Sequence, residues 1–564
     1  MTGTFKDAMA AAYQLDEPAL ALGSPIDGTI VYPDIRVQVA LSVLNRHGLI
    51  AGATGTGKTK TLQAMAGQLS LAGVPTFIND IKGDVSGMAL PGDAANPKLQ
   101  QRVADLALTF VPSGHPVEFL SLTGQLGTQI RASVHSFGPL LLGRVLGLND
   151  TQTSVLSLVF KYCDDNQLAL LDLKDLTTTL KYLGSDDAKV VLADYGGISP
   201  ASLGVIQRAI ITLEQQGADV FFGEPEFDVD DLMRLTADGA GIVNVLELSD
   251  VMDKPALFST FMLWILAQLY HALPEVGDLA KPKLCFFFDE AHLLFDDASD
   301  ALLQQIEQTV RLIRSKGVGV YFITQTPSDV PSAVLAQLGN RIQHALRVFT
   351  PEDADALKKT VRTFPMTSFF DTGERLTSLG IGEALVTVLA PNGVPTALAP
   401  TRIVPPDSLM AALPPDQLQL RIQGGALHAK YAQAIDPQSA HEIITARIAA
   451  AQQAAQAAAQ VAPMPQPGGY RPGVPGAYPG GAYPPAGPAA QGRVPSYEAQ
   501  VKAQAREMAR VQHEAEVEAR AEVRRQAAAQ AAAKRAQMQR EREITQVGTT
   551  LLRGVMGTLF GRHR

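Results

Sequence analysis

The chain has 564 residues and a net charge of −9; 46% of its residues are hydrophobic and only 6% aromatic. It is too long for one simple core but long enough for a large α/β domain with additions, and its acidic balance argues against wholesale electrostatic wrapping of nucleic acid. Two cysteines far apart, Cys163 and Cys285, exclude a disulfide framework and offer no metal-ligand spacing.

The first stretch, MTGTFKDAMAAAYQ, has no basic region followed by an apolar one. No signal peptide is expected, and the chain reads as cytoplasmic. Residues 1–45 form an N-terminal segment, with an amphipathic helix from Phe5 to Leu15 and short strands within DGTIVYPDIRVQV. A first core part, 46–136, opens with the buried strand HGLIA and then GATGTGKT, which fits G-x-x-x-x-G-K-[ST] at every fixed position. Gly52, Gly55 and Gly57 allow a tight turn and close approach to an anion. With Ala53, Thr54 and Thr56 they offer successive N–H groups to phosphate oxygens. Lys58 reaches the terminal phosphates, Thr59 turns its hydroxyl to Mg²⁺, and Lys60 continues into a helix whose N-terminus favours negative charge. The expected ligand is ATP with Mg²⁺. The helix should end at Gly73, and VPTFIND should be the next strand, ending at Asp80.

About 200 residues then separate Asp80 from the next signature, far more than one crossover needs. A helical insertion is expected over 137–217, followed by a second core part over 218–445 that begins with the strand AGIVNVLEL. The apolar run 256–273 is uncharged but carries Ser, Thr, Gln and His, and it reads as a buried crossover helix rather than a membrane span. KLCFFFDEAHLLF places an unbroken apolar strand before two carboxylates, the pattern of a central parallel strand reaching its C-terminal edge. Asp289 is placed to hold the Mg²⁺ shell and Glu290 to orient and polarise water. GVGVYFITQ reads as another buried strand. It sets Thr324 and Gln325 beside the carboxylates if the strands are neighbours, with Gln325 to sense the γ-phosphate or position water. NRIQHALRVF is a strand, PEDADALKKTVRTF a helix, and GEALVTVLAPNGVPTALAPTRI a hairpin around Asn-Gly.

Residues 446–495 run from Ala/Gln to Pro/Gly and read as a disordered linker; 496–564 read as a basic helical tail. From Arg493 onward there are 14 Lys and Arg against 8 Asp and Glu, a balance of +6 that leaves −15 for the rest. Within 545–564 an apolar stripe (Leu551, Leu552, Val555, Met556, Leu559 and Phe560) with basic ends suits a protein partner, a membrane surface or the chain's own core.

Four segments together carry a resemblance: NRHGLIAGATGTGKT, FINDIKGDVSGM, FFFDEAHLLF and ITQTPSDVP. With them the chain resembles the HerA/FtsK superfamily of P-loop ATPases, closest to the bacterial HerA-like group. The resemblance implies a RecA-like P-loop sheet of α/β class and a homo-oligomer, a hexamer, with sites between subunits. It also implies an arginine acting across that interface: Arg46 by its match to the family's residue before the P-loop strand, with Arg341 and Arg347 as rivals. The β-barrel that HerA helicases carry ahead of the motor has no counterpart in the roughly 45 residues before the loop. The expected function is therefore an ATP-hydrolysing ring motor acting on DNA as translocase or helicase. The alternatives are an ATP-driven regulator or assembly factor acting on a protein or membrane partner and, third, a phosphotransferase.

Overall fold

The computed structural model describes residues 4–188, 195, 197–277, 279–295 and 300–461. Its strands, in chain order, are β1 (Ala19–Asp27), β2 (Ile30–Val31), β3 (Val37–Ala40), β4 (Gly48–Ala51), β5 (Thr76–Asp80), β6 (Val117–Ser121), β7 (Thr128–Gln129), β8 (Val243–Glu247), β9 (Leu284–Phe288), β10 (Val318–Thr324), β11 (Asn340–His344), β12 (Glu383–Thr387) and β13 (Ala399–Ile403). All join one sheet of 13 strands, in the order β2-β1-β13-β12-β11-β4-β10-β9-β5-β8-β6-β7, with β3 paired to β1. From β11 to β7 the pairings are parallel; β12, β13, β1, β2 and β3 add an antiparallel flank.

The unbroken apolar runs are explained by burial on both faces. Along β9, Leu284, Phe286 and Phe288 enter one core, while Cys285 and Phe287 enter the other. The same period of two sends Val318, Val320 and Phe322 of β10 to the first core and Tyr321 and Ile323 to the second. The first core is covered by the helices Val134–Val145, Asp150–Asp165, Leu173–Leu183, Pro200–Gln215 and Pro255–Ala272. The second is covered by the helices Phe5–Tyr13 and Lys58–Leu71. Pro255–Ala272 is thus a packed crossover helix, and no described helix is long and apolar enough to cross a membrane.

Between β7 and β8 the described residues hold helices and turns, with isolated β-bridges such as Ala132 to Phe222 and Leu235 to Gly241. The hairpin is centred on Asn392 and Gly393: Glu383 pairs with Arg402 and Val386 with Ala399. Gly393 sits at φ 81, the left-handed conformation that closes the turn. Three features depart from the sequence reading. Strand β1 runs over nine residues, of which only Asp27 falls in a stretch read as strand, and it pairs with β13, which joins β1, β2 and β3 to the sheet. Strand β6 is a second unforeseen strand. The Ala/Gln run, read with the linker, continues the helix Ala440–Val461. Met1–Pro463 clusters as one compact unit, and the Pro/Gly linker and basic tail lie outside the described residues.

Candidate functional site

The site lies where the parallel strands end. Beyond Ala51 the chain leaves β4 and is held by its neighbours' backbones. Gly52 donates its N–H to the Thr324 and Gln325 carbonyls at 3.2 and 3.1 Å, and Ala53 donates to Ala345 at 2.9 Å. Farther along, Gly382 donates to Thr56 at 2.8 Å. A Cβ on Gly52 would lie 2.5 Å from His344 Cβ, and Gly55 and Gly57 sit at φ 77 and 116, so the glycines are required by contact and by conformation. Thr54 and Gly55 are exposed at the rim, while Thr56 is buried with its hydroxyl donating to Ala53 at 2.7 Å. Gly57 caps the helix with no side-chain bond to the first turn, whose N–H groups remain available to an anion.

Lys58 is buried and donates from Nζ to the Gly52 carbonyl at 2.7 Å. Burial lowers its pKa, and the charges of Glu290 and Asp289 oppose that shift, so the lysine and both carboxylates share one field. Thr59 and Lys60 are half-buried on the same turn; burial lowers the Lys60 pKa against the pull of Asp84 and Asp80. Behind the turn stands His344, which sequence reading overlooked. Its Nδ1 lies 3.0 Å from the Glu383 carbonyl and so carries the proton, leaving Nε2 to accept from the Thr61 hydroxyl at 2.9 Å. Burial pushes its pKa down to about 4, which keeps that tautomer neutral.

Strand β10 does separate β4 from β9 and pairs in parallel with both, so the carboxylates and Gln325 stand on adjacent strand ends. Asp289 is fixed by Asn79 of β5: its N–H donates to Asn79 Oδ1 at 2.7 Å, and Asn79 Nδ2 donates to its carbonyl at 3.1 Å. Its Oδ2 is buried without a hydrogen-bond partner, and burial, followed by the charge of Glu290, pushes its pKa up to about 7. Glu290 is 6% exposed and holds a left-handed backbone, φ 45, unusual for a residue with a Cβ. Its Oε1 accepts from Lys82 Nζ; its Oε2 lies 3.4 Å from His292 Nδ1 but accepts no hydrogen bond. Gln325 is exposed just past β10.

Two of the three arginines, Arg341 and Arg347, are hydrogen-bonded elsewhere within the chain. Arg46 precedes β4, at the opposite end of that strand from the loop, with Nη1 against Gly393. Arg341 donates to the Leu338, Thr363 and Leu335 carbonyls. Arg347, exposed beyond β11 on the loop's edge of the sheet, donates to Thr377. Lys82 lies in the segment FINDIKGDVSGM that the resemblance marks, but its partner was not foreseen: Glu290 is 208 positions away.

Beside the loop opens a cavity of about 690 Å³, with Gly57, Lys60 and Thr61 on one wall and Ile381, Val404 and Met410 on another. Its size and mixed lining suit a base and ribose continuing from phosphates on the loop. Asp289 Oδ2 and Thr59 could hold a hard cation. Among the described residues no group of three or more His, Cys, Asp or Glu is arranged to bind a metal alone, so such a cation would depend on phosphate oxygens and water for its other ligands. The sheet order and the loop together define a P-loop α/β protein.

The helicase HerA-like C-terminal family model matches residues 31–564, and the chain belongs to that family. It is 23% identical over 365 residues to the DNA double-strand break repair helicase HerA of Sulfolobus acidocaldarius, covering 64% of this chain and 66% of the relative. The HerA of Sulfurisphaera tokodaii is 24% identical over 366 residues with the same coverage, so the match spans about two thirds of these relatives. Among solved structures, the bacterial conjugative coupling protein TrwBdeltaN70 aligns with TM-score 0.44 at 14% identity, over 71% of this chain and 93% of that one. VirB4 of Thermoanaerobacter pseudethanolicus aligns with TM-score 0.41 at 15% identity, over 69% and 97%.

Proposed function

We propose that the chain is a Mg²⁺-dependent ATPase that assembles into a ring, a hexamer, in the cytoplasm and acts on DNA as translocase or helicase. The observation that carries hydrolysis, beyond binding, is Glu290: a buried carboxylate separated from the loop's strand by β10 alone, with Oε2 accepting no hydrogen bond in the field of Lys58. Lys58 neutralises charge on the terminal phosphates, and the loop N–H groups from Gly52 to Lys60 orient them. Thr59 and Asp289 would hold Mg²⁺, which would supply positive charge against the polyphosphate. Glu290 orients water and draws on its proton, and Gln325 at the neighbouring strand end reports the γ-phosphate. A neighbouring subunit adds an arginine; Arg347 is the exposed member of the three candidates, while Arg46 and Arg341 would need a partner that approaches the other strand ends.

DNA as cargo is supported by family membership and by the names of the relatives, DNA double-strand break repair helicases. The test is the ATP hydrolysis rate of the full chain alone and with single-stranded DNA, double-stranded DNA or RNA, at two salt concentrations. Stimulation by DNA that weakens with salt is expected, because phosphate contacts release counterions. Hydrolysis indifferent to every nucleic acid would remove the motor reading and leave an ATPase acting on a protein or membrane partner.

A further inference from the structure

We propose that Lys82 is a positioning residue for Glu290, holding Oε1 so that Oε2 alone is presented to the attacking water. The inference rests on the hydrolytic reading above and adds a residue to it. Lys82 Nζ donates to Oε1 of a carboxylate that is 6% exposed, while Oε2 accepts nothing. Without an anchor, a glutamate side chain has rotamer freedom, and a water-activating oxygen displaced by about 1 Å loses much of its effect.

The anchor is itself built into the fold. Asp80, ending β5, accepts from the N–H groups of Lys82 at 3.2 Å, Gly83 at 2.8 Å and Val85 at 2.7 Å. Gly83, at φ 71, allows the turn that wraps this loop around the carboxylate. Strands β5 and β9 are neighbours, so the loop after β5 and the carboxylates after β9 meet side by side. Burial disfavours the Lys82 ammonium, but the Glu290 hydrogen bond and the charges of Glu290 and Asp289 outweigh it, holding the pKa above the ordinary value and the ammonium charged. Glu290 meets Lys82 from a left-handed backbone, φ 45, a conformation that clusters at functional sites.

The test compares the full chain with Lys82→Met, Lys82→Arg, Glu290→Gln and the Lys82→Met/Glu290→Gln pair, measuring kcat and KM for ATP and the affinity of a fluorescent ATP analogue. Lys82→Met is expected to lower kcat about tenfold or more with affinity within about twofold, and Lys82→Arg to recover most of the loss. In the Glu290→Gln background, Lys82→Met should change nothing further, which a merely structural role would not produce. An unchanged or raised kcat in Lys82→Met overturns the proposal, as does an affinity loss equal to the kcat loss, which would place Lys82 on the nucleotide. If the unaltered chain hydrolyses no ATP, the hydrolytic reading itself fails; if it does and Lys82→Met matches it, only this inference fails.

Discussion

At the scale of single residues, the loop and the carboxylates make opposite predictions. Lys58→Ala removes the charge between the terminal phosphates, so ATP affinity should fall by about tenfold or more, read by titration of a fluorescent analogue. Binding equal to the parent's would sink the loop assignment. Glu290→Gln keeps the shape and the αL backbone but loses the base: affinity should stay within about twofold while kcat drops by about two orders of magnitude. A third residue speaks through stability. Glu247, ending β8 opposite Asp80, is buried with Oε1 unpartnered. Burial, then the charges of Asp80, Asp250 and Asp84, push its pKa up to about 9 from 4.5. The folded chain therefore binds this proton more tightly than the unfolded chain does, and the group withdraws stability as pH rises from 4.5 toward 9. Glu247→Gln, an isostere of the protonated form, should be more stable than the parent at pH 8 by more than about 1 kcal/mol, with the gap closing toward pH 4.5. Thermal unfolding at both pH values checks this, and a gap of equal size at each would mean that proton binding is not the cause. The loop and the Asp-Glu pair were legible because their chemistry fixes residues at short spacing. His344 and Glu247 were not, and the partner of Lys82 was not, since each role comes only from a residue far away in the chain.

At the scale of elements, two-faced burial made β4, β5, β8, β9 and β10 readable as continuous apolar runs, and the Asn-Gly turn gave the hairpin away. Strand β1 hid because Gly23 and Pro25 interrupt any strand pattern; both suit its own neighbour, for a Cβ on Gly23 would lie 2.1 Å from the Arg402 carbonyl, and Pro25 stands opposite Thr401. Strand β6 hid because it contains Glu118, a poor strand residue satisfied here by Arg234 Nη2 at 2.9 Å and the Ala426 N–H at 3.0 Å. The helix Phe5–Tyr13 is pinned to the hairpin by one hydroxyl: Tyr13 lies 2.9 Å from the Val386 carbonyl and 2.8 Å from that of Ala397, and it accepts from Thr396 at 3.1 Å. Tyr13→Phe strips these buried groups of their partner and should cost about 1–3 kcal/mol in a denaturant titration. A loss below about 0.5 kcal/mol would show that the helix is held by apolar contact alone.

At the scale of the whole molecule, Met1–Pro463 is compact by itself, so a chain ending at residue 463 should unfold at the same temperature as the full chain and retain its basal hydrolysis. Aggregation or a lower midpoint would make the last hundred residues part of the fold. The pairing of β1 with β13 also imposes a timetable. Gly23 meets Ile403 across the sheet, 380 residues downstream. At about 5–20 residues per second, a nascent chain waits roughly 20–80 s between making the first partner and the second. For that interval β1 and β3 are an unfinished ribbon beside the ribosome, with one row of backbone groups unclaimed, and the antiparallel flank closes last. Ribosome-bound chains halted before Ile403 should leave residues 19–27 open to protease, and chains halted after β13 has emerged should protect them. Protection in the shorter chains would mean that the N-terminal strands find a stable home before their sheet partner exists.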